Sequence, residues 1–189
     1  MNNPNTILIL IGSARRNGNT AQTADRLQSA LAARCPNSTI DLINLQDLLI
    51  GAFDYECTNA SDQLMSVVDH MLAASTIVFA TPVYWYAMAT IMKNFFDRLT
   101  DLVMVPANRP KGRSLAGRNT FLLSNGAYPD LPLGFEEPFR LTSEYLSMRF
   151  VAGRYLRFDG DTLPQAETAQ LDTLSEAIAR ALPAPSVLA

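Results

Sequence analysis

The sequence is poor in the residues that usually hold metals and form disulfides. It contains two cysteines, Cys35 and Cys57, and one histidine, His70, among 189 residues. Two thiols cannot build a framework of several disulfides, and two thiols with one imidazole fall short of the ligands of a closed zinc site. We therefore expect neither a disulfide scaffold nor a metal centre, and we interpret Cys57 and His70 as structural or surface residues.

Long apolar runs and an excess of basic residues are also missing. The apolar run near the N-terminus, residues 7–11, is shorter than a signal-peptide core and far shorter than the ~20 residues of a membrane-spanning helix. A net charge of −3 argues against the basic surface that nucleic acids or anionic membranes select. These absences predict a cytoplasmic protein with no membrane span and no nucleic-acid partner.

The remaining composition is that of a well-packed globular chain. Hydrophobic residues make up 48% of the sequence and charged residues 17%, a balance that is too apolar for a disordered chain. The length suits one domain, and no repeat or linker divides it. We expect a single domain over residues 1–189 in which residues 184–189 form a loose tail.

Strand-like and helix-like segments alternate along the whole chain. This alternation is typical of an α/β fold with a parallel sheet and crossover helices, here five βα units in the strand order 2-1-3-4-5. Apolar periodicity predicts helices that begin near residue 20 and residue 64 and that cover 88–101, 135–146 and 165–182. Residues 105–117 are interpreted as one long surface connection. The predicted strands are 6–11, 39–44, 76–81, 119–124 and 149–158.

The loop after the first strand, GSARRNGNT at residues 12–20, is suited to hold a phosphate. It joins a buried strand to a helix N-terminus, where free N–H groups and the helix dipole attract anions. Five residues separate Gly12 from Gly18 and no lysine follows, so the loop is not a Walker A motif. It also lacks the second glycine of the dinucleotide fingerprint. A single terminal phosphate fits best, with an ordinary polar turn as the alternative.

Several side chains of this loop are candidate phosphate ligands. Ser13 and Thr20 offer hydroxyls, Arg15 can add a charge-assisted hydrogen bond, and Asn19 offers an amide. Gly18 is expected to permit close approach of the backbone.

The loop after the third strand carries consecutive aromatic residues in the sequence TPVYWYAM, residues 81–88. Tyr84, Trp85 and Tyr86 cannot all face one core, and a row of exposed aromatic surface usually marks a binding site. A planar aromatic ligand explains them better than rings that only cover the sheet end. The loop after the fourth strand adds Asn125 and Gly126, a weaker signal that gains weight from its position beside the other loops.

The helix predicted over residues 88–101 has an apolar stripe wider than one buried face requires. We interpret it as a homodimer interface that also helps to cover the ligand, with Lys93, Asp97 and Arg98 at the polar margin. A deeply buried helix is the alternative. The stripe consists of Met88, Ile91, Met92, Phe95, Phe96 and Leu99.

Together these loops resemble the flavodoxin-like NAD(P)H-dependent FMN reductase family, which includes quinone, azo-dye and chromate reductases. GSARRNGNT is similar to the family's phosphate loop, and TPVYWYAMATIMKNFFDR at residues 81–98 is similar to its second motif. The resemblance implies a flavodoxin-like three-layer sandwich, noncovalent FMN, NADPH or NADH as electron donor, and a homodimer or homotetramer. It also implies that the chemistry takes place at flavin N5, without a catalytic side chain.

The resemblance further implies roles for individual residues. Ser13, Arg15, Asn19 and Thr20 would hold the FMN phosphate, with Gly18 allowing the turn. The isoalloxazine and the ribityl chain would lie against the second and third loops, at Pro82, Val83, Tyr84, Trp85, Asn125 and Gly126. Some relatives bind an iron–sulfur centre through a cysteine cluster after the second strand. Residues 51–62 contain only Cys57, so we expect no such centre.

The resulting hypothesis is an FMN-dependent NAD(P)H oxidoreductase that passes electrons to a small acceptor such as a quinone or free flavin. A flavodoxin-type electron carrier is the alternative, although such carriers are usually more acidic than this chain. A fold that has lost its flavin is a further one. The preference between NADH and NADPH stays open, because Arg109, Lys111 and Arg113 are equally consistent with a 2′-phosphate site and a solvated basic loop.

Overall fold

The computed structural model describes residues 5–56, 58–59 and 61–183, and the fold is built on a parallel sheet. The sheet order is β2-β1-β3-β5-β6, and the two-residue strand β4 pairs antiparallel with the end of β3. Without β4, this is the predicted order 2-1-3-4-5. Cys57 and the tail at 184–189 lie outside the described residues. The strands are β1 Thr6–Ile11, β2 Thr39–Asn44, β3 Thr76–Tyr84, β4 Ala87–Met88, β5 Asn119–Gly126 and β6 Arg149–Arg157.

Helices cover both faces of the sheet, as the continuously apolar strands require. Alternate residues of β1 serve opposite faces: Ile9 packs in the core beneath α1 and α7, and Leu10 packs in the core beneath α2, α3 and α6. The result is the expected three-layer sandwich. The helices are α1 Asn19–Arg34, α2 Leu64–Ala73, α3 Thr90–Arg98, α4 Asp101–Met104, α5 Arg109–Arg113, α6 Glu137–Tyr145 and α7 Gln165–Ala181.

The segment expected to be one surface connection contains a helix. Within residues 105–117, α5 starts with Pro110 in its first turn, a position that needs no backbone N–H. Gly112 and Leu115 of this segment are buried. A Cβ on Gly112 would lie 2.8 Å from the Leu102 carbonyl oxygen, so a glycine lets α5 pack against α4. The interpretation as a plain surface connection was therefore wrong.

The apolar stripe predicted over residues 88–101 is used inside the chain. Met92, Phe95 and Leu99 are buried in the core, and Ile91 and Phe96 pack partly against it. The helix α3 begins later than predicted because Ala87–Met88 form β4. Most of the stripe therefore fits the alternative of a buried helix, although the half-buried Phe96 also borders an open groove beside α6.

Arg98 was expected at the polar margin of this stripe, and that placement was wrong. Its side chain is buried, with 2% of the residue exposed. The guanidinium donates to Asp101 Oδ2 at 2.8 Å, to Asp62 Oδ2 at 2.5 Å and to the Gly51 carbonyl at 3.0 Å. It also reaches the Asn59 carbonyl at 3.5 Å. Arg98 thus joins α3 to α4 and to the segment between β2 and α2.

The Asp62 carboxylate beside Arg98 is held in its charged form. Burial by itself would raise the pKa of Asp62, but the hydrogen bond from Arg98 and the backbone N–H groups of Leu64 and Gly51 lower it below its ordinary value. Burial likewise opposes the charge on Arg98, and its bonds to Asp101 and Asp62 raise its pKa above the ordinary value. The cluster is a buried charge network in which one guanidinium pairs with two carboxylates.

Candidate cofactor site

A cavity of about 870 Å³ opens at the carboxyl ends of β1, β3 and β5, where the three predicted loops meet. Ten of the eleven residues proposed from the sequence line it, and Gly18 does not. The ten are Ser13, Arg15, Asn19, Thr20, Pro82, Val83, Tyr84, Trp85, Asn125 and Gly126.

One end of the cavity is the N-terminus of α1, which is electrostatically open to an anion. The first hydrogen bond of the helix runs from the Gln22 N–H to the Gly18 carbonyl at 3.1 Å. The N–H groups of residues 19–21 therefore lie before the first acceptor carbonyl and take no part in the hydrogen bonds of the helix itself. The first turn contains no acidic residue, and no side chain caps it. The positive end of the dipole of a 16-residue helix is therefore not compensated there by the helix's own side chains.

Gly18 has a different role from the one expected. Its φ of −80° and ψ of −177° are extended backbone that any residue adopts. A Cβ at this position would lie 2.9 Å from the Arg15 Cβ and 3.1 Å from its Nε. The glycine therefore makes room for the Arg15 side chain, and the turn itself does not require it.

Buried hydrogen bonds tie the loops to one another. The Thr20 hydroxyl donates to Asn125 Oδ1 at 2.8 Å and joins the first loop to the third. The Thr81 hydroxyl donates to the Gly12 carbonyl at 3.0 Å and accepts from the Ala89 N–H at 3.3 Å. These bonds hold the ends of β1, β3 and β5 in a fixed arrangement before any ligand binds.

The loop after β6 completes the first end of the cavity, and sequence reasoning missed it. Phe158 and Gly160 line the cavity. The Asn19 side-chain N–H donates to the Gly160 carbonyl at 2.9 Å, and Arg15 pairs with Asp161 at 3.3 Å. The Asp-Gly-Asp sequence at residues 159–161 follows a predicted strand and is typical of a turn, and this signal could have indicated that the loop belongs to the site.

Asn19 also carries a buried polar atom whose hydrogen-bonding capacity is unused. Its Oδ1 is buried and has no partner among the described residues. A buried acceptor of this kind is costly unless a donor reaches it. Because Asn19 lines the cavity, a hydroxyl of a bound ligand is a suitable donor.

The aromatic residues of the second loop form a tight hairpin between β3 and β4. Trp85 and Tyr86 have φ values of 47° and 65°, as the two central residues of a type I′ turn require. Trp85 is 89% exposed at the cavity rim. The Tyr86 ring lies 5.1 Å from that of Tyr128 in the third loop. Bulky residues in this backbone region are strained, so the chain holds these rings at the rim at an energetic cost.

The basic segment considered for a 2′-phosphate lies far from this cavity. It precedes β5, whose first residue pairs with Thr76 at the amino end of β3, and so it lies at the opposite edge of the sheet. Lys111 pairs with Asp69 of α2, and Arg109 donates to the Val103 carbonyl at 2.8 Å. None of Arg109, Lys111 and Arg113 lines the cavity.

Comparison with known proteins agrees with this geometry. The chain is 27% identical to an FMN-dependent NADH:quinone oxidoreductase from Burkholderia thailandensis, over 92% of this chain and 98% of that one. The apo form of an NADH:FMN oxidoreductase has a similar fold, with a TM-score of 0.71 and 20% identity over 96% of this chain and 91% of that one. An FMN-dependent NADH-azoreductase from Bacillus anthracis in complex with FMN gives a TM-score of 0.67 with 12% identity, over 95% of this chain and 100% of that one.

The fold and the cavity define the class as a flavodoxin-like flavoprotein. Residues 5–161 match the model of the NADPH-dependent FMN reductase family, and the chain belongs to that family. The protein is accordingly an FMN-dependent NAD(P)H oxidoreductase.

The residues present fit FMN. The cavity volume lies within the ~300–1,000 Å³ of ligand sites, the uncapped helix end suits a phosphate, and the aromatic rim suits a planar ring. The lining contains no carboxylate that would repel the phosphate.

Among the described residues, no helix is long and apolar enough to cross a membrane.

Proposed function

We propose that the protein uses bound FMN to transfer two electrons from NADH or NADPH to a quinone. The observation that carries this proposal is the pairing, in one cavity, of an uncompensated helix N-terminus with an exposed aromatic rim. The first feature selects a phosphate and the second a planar ring, and FMN has both. The name of the Burkholderia thailandensis relative supports the choice of a quinone as acceptor.

We assign the FMN contacts to the residues that line the cavity. Ser13 and Arg15 hold the phosphate through their side chains, and Asn19 and Thr20 hold it through their backbone N–H groups at the start of α1, because the Thr20 hydroxyl donates to Asn125. Gly18 positions Arg15. Asn125 is oriented by the Thr20 hydroxyl. The ring and the ribityl chain lie against Pro82, Val83, Tyr84, Trp85, Asn125 and Gly126.

The protein contributes binding and orientation to this reaction. FMN held by these residues would supply the redox chemistry: it would take a hydride from the nicotinamide and return two electrons to the quinone, whose two protons would be that of the hydride and one further proton. The cavity lining contains no carboxylate, imidazole or ammonium group, and its phenol groups are those of Tyr84 and Tyr128. The further proton would come from one of these phenols or from water at the exposed rim.

The test is steady-state turnover of purified protein loaded with FMN. The proposal expects oxidation of NADH or NADPH that depends on both FMN and a quinone, with one hydroquinone formed for each nicotinamide oxidised. If neither nicotinamide is oxidised while a separate reductase can reduce the bound flavin, the protein is an electron carrier and the proposal is wrong.

We also propose that the protein is cytoplasmic and forms a homodimer or homotetramer. An open apolar groove of about 390 Å³ between α3, α4 and α6 supports self-association. Leu141 and Tyr145, at its border, are more than half exposed. Light scattering of the purified protein at several concentrations tests the assembly, and a monomer at every concentration would contradict it.

A further inference from the structure

A second groove adjoins the cofactor cavity and has a different chemical character. It has a volume of about 390 Å³ and lies between the segment after β2 and the first turns of α3. Its apolar lining comes from Leu45, Leu48, Ile50, Ala52 and Ile91. Four large aliphatic residues, Leu45, Leu48, Leu49 and Ile50, lie in this connection. Leu45 is buried in the core and Leu48 and Ile50 pack partly against it, and the same three residues line the groove.

The groove lies next to the cofactor cavity. Thr90, the first residue of α3, lines both. A ligand with its ring in the cavity and a side chain directed over Thr90 would therefore reach the groove. The volume of the groove lies within the range of small-molecule sites.

The groove is uncharged. Its polar lining residues are Gln46, Thr90 and Asn94, and the Asn94 amide donates to the carbonyls of Ile50 and Gly51 at 3.0 and 3.3 Å. No arginine or lysine lines it. The phosphates of a nicotinamide dinucleotide would find no cation there, whereas an uncharged apolar chain would bury its surface.

The groove is also held rigidly. The Gly51 N–H donates to Asp62 Oδ2 at 2.9 Å, and its carbonyl accepts from Arg98 at 3.0 Å. Because Asp62 and Arg98 belong to the buried charge network, the wall beside Ile50 and Ala52 is fixed before a ligand arrives. A preformed wall loses little entropy when an apolar chain binds.

We infer that this groove binds the alkyl side chain of the quinone acceptor, while the quinone ring lies in the cofactor cavity. The inference rests on the proposed quinone reductase function and extends it to a substrate class: quinones with an apolar side chain are preferred over quinones of the same ring without one. Burial of each methylene gives up to about a fourfold gain in affinity.

The test uses 1,4-benzoquinones that share one ring and carry saturated side chains of increasing length. Binding to FMN-loaded protein without a nicotinamide is followed by quenching of Trp85, the only tryptophan of the chain. The dissociation constant should fall roughly two- to fourfold for each added methylene until the groove is full. The same dependence should appear in kcat/KM during turnover.

Two variants locate the side chain. Ala52→Phe fills the groove from an exposed lining position and should flatten the dependence on chain length, while binding of the quinone without a side chain stays unchanged. Leu49→Phe is the matched control, because Leu49 is exposed in the same segment and does not line the groove. It should keep the full dependence. If Ala52→Phe fails to fold, Ala52→Leu narrows the groove with a smaller change.

The outcomes separate this inference from the proposed function. No dependence on chain length in the unsubstituted protein, or a full dependence in the folded Ala52 variant, overturns the groove assignment, even if short quinones are reduced. Conversely, binding that strengthens with chain length in the unsubstituted protein but not in Ala52→Phe supports the groove, even if no quinone is reduced and the proposed function fails.

Discussion

Arg98 and Arg15 belong to two regions of the molecule that differ in how completely their charges are paired. Around Arg98, the buried guanidinium donates to two carboxylates and to the carbonyls of Gly51 and Asn59. Around Arg15, the side chain is 59% exposed and has one carboxylate partner, Asp161, at 3.3 Å. The adjacent helix end has no compensating charge in its first turn.

The difference separates scaffold from binding site. The donors of the Arg98 network are already used within the protein, so they are not available to a ligand. The network instead fixes the positions of the elements that it joins. The incompletely paired donors around Arg15 are available to a ligand. Membership of the NADPH-dependent FMN reductase family indicates that this ligand is FMN. Substitution of an arginine should therefore lower the stability of the protein in the first region and its affinity for FMN in the second.

The largest effect is expected from Arg98→Met. It leaves the buried carboxylates of Asp62 and Asp101 without their cation, and the free energy of unfolding should fall by about 3–5 kcal/mol. Lys93→Met on the same helix is the control, because Lys93 and Asp97 form an exposed pair worth less than about 1 kcal/mol. Urea denaturation measures both. Equal losses would show that the Arg98 network is not a special scaffold.

Thr20→Val should have the next largest effect. The change keeps the side-chain volume and removes the hydroxyl, so that the buried Asn125 Oδ1 loses its donor at a cost of about 1–3 kcal/mol. Thr20→Ser keeps the hydroxyl and should retain most of the stability and FMN affinity. Urea denaturation and FMN titration of the three proteins check this. Identical behaviour of the valine and serine variants would show that the bond between the loops contributes nothing.

Arg15→Ala should weaken FMN binding without destabilising the protein. Because the side chain is more than half exposed, the loss should lie between the ~1 kcal/mol of an exposed ion pair and the ~3 kcal/mol of a charged hydrogen bond. Arg16→Ala is the control, since Arg16 is equally exposed, pairs with Asp47 and does not line the cavity. FMN titration followed by fluorescence gives both constants. A matching loss in Arg16→Ala would mean that only net charge matters.

A small effect on stability, with the opposite sign, is expected from Trp85→Asn. Asparagine adopts positive φ more readily than tryptophan, and the exposed Trp85 ring has little packing to lose. Stability should rise by up to about 1 kcal/mol, while kcat/KM for the quinone falls and the FMN dissociation constant changes less than in Arg15→Ala. A destabilised variant would show that the ring packs against another surface.

Much of the fold follows from periodicity, and the departures have local causes. The first two strands were predicted with their observed bounds, since β1 is a continuous β-branched and aliphatic run and β2 is mainly such residues between polar segments. The strands β3 and β5 extend further than predicted because Pro82 and Asn125 still pair across the sheet. The hairpin at Trp85 and Tyr86 could not be predicted, since it lacks the asparagine or glycine that marks a type I′ turn.

The site was predicted from the loops that follow the strands. The prediction was incomplete where residues distant in the sequence contact those loops. The Arg15–Asp161 pair spans 146 residues and the Asn19–Gly160 bond spans 141. Such contacts leave no periodic pattern in the sequence. Arg98 was misplaced for a similar reason: a charged residue at the end of an apolar stripe is usually exposed, and the carboxylate of its partner Asp62 lies 36 positions away.

The most direct test of the account is anaerobic stopped-flow reduction of the FMN-loaded protein by NADH and by NADPH. The account predicts that at least one nicotinamide bleaches the oxidised flavin at a rate that saturates with its concentration, and that a quinone then restores the oxidised flavin. Flavin that stays oxidised with both nicotinamides, while a separate reductase reduces it, would contradict the assignment as an NAD(P)H oxidoreductase.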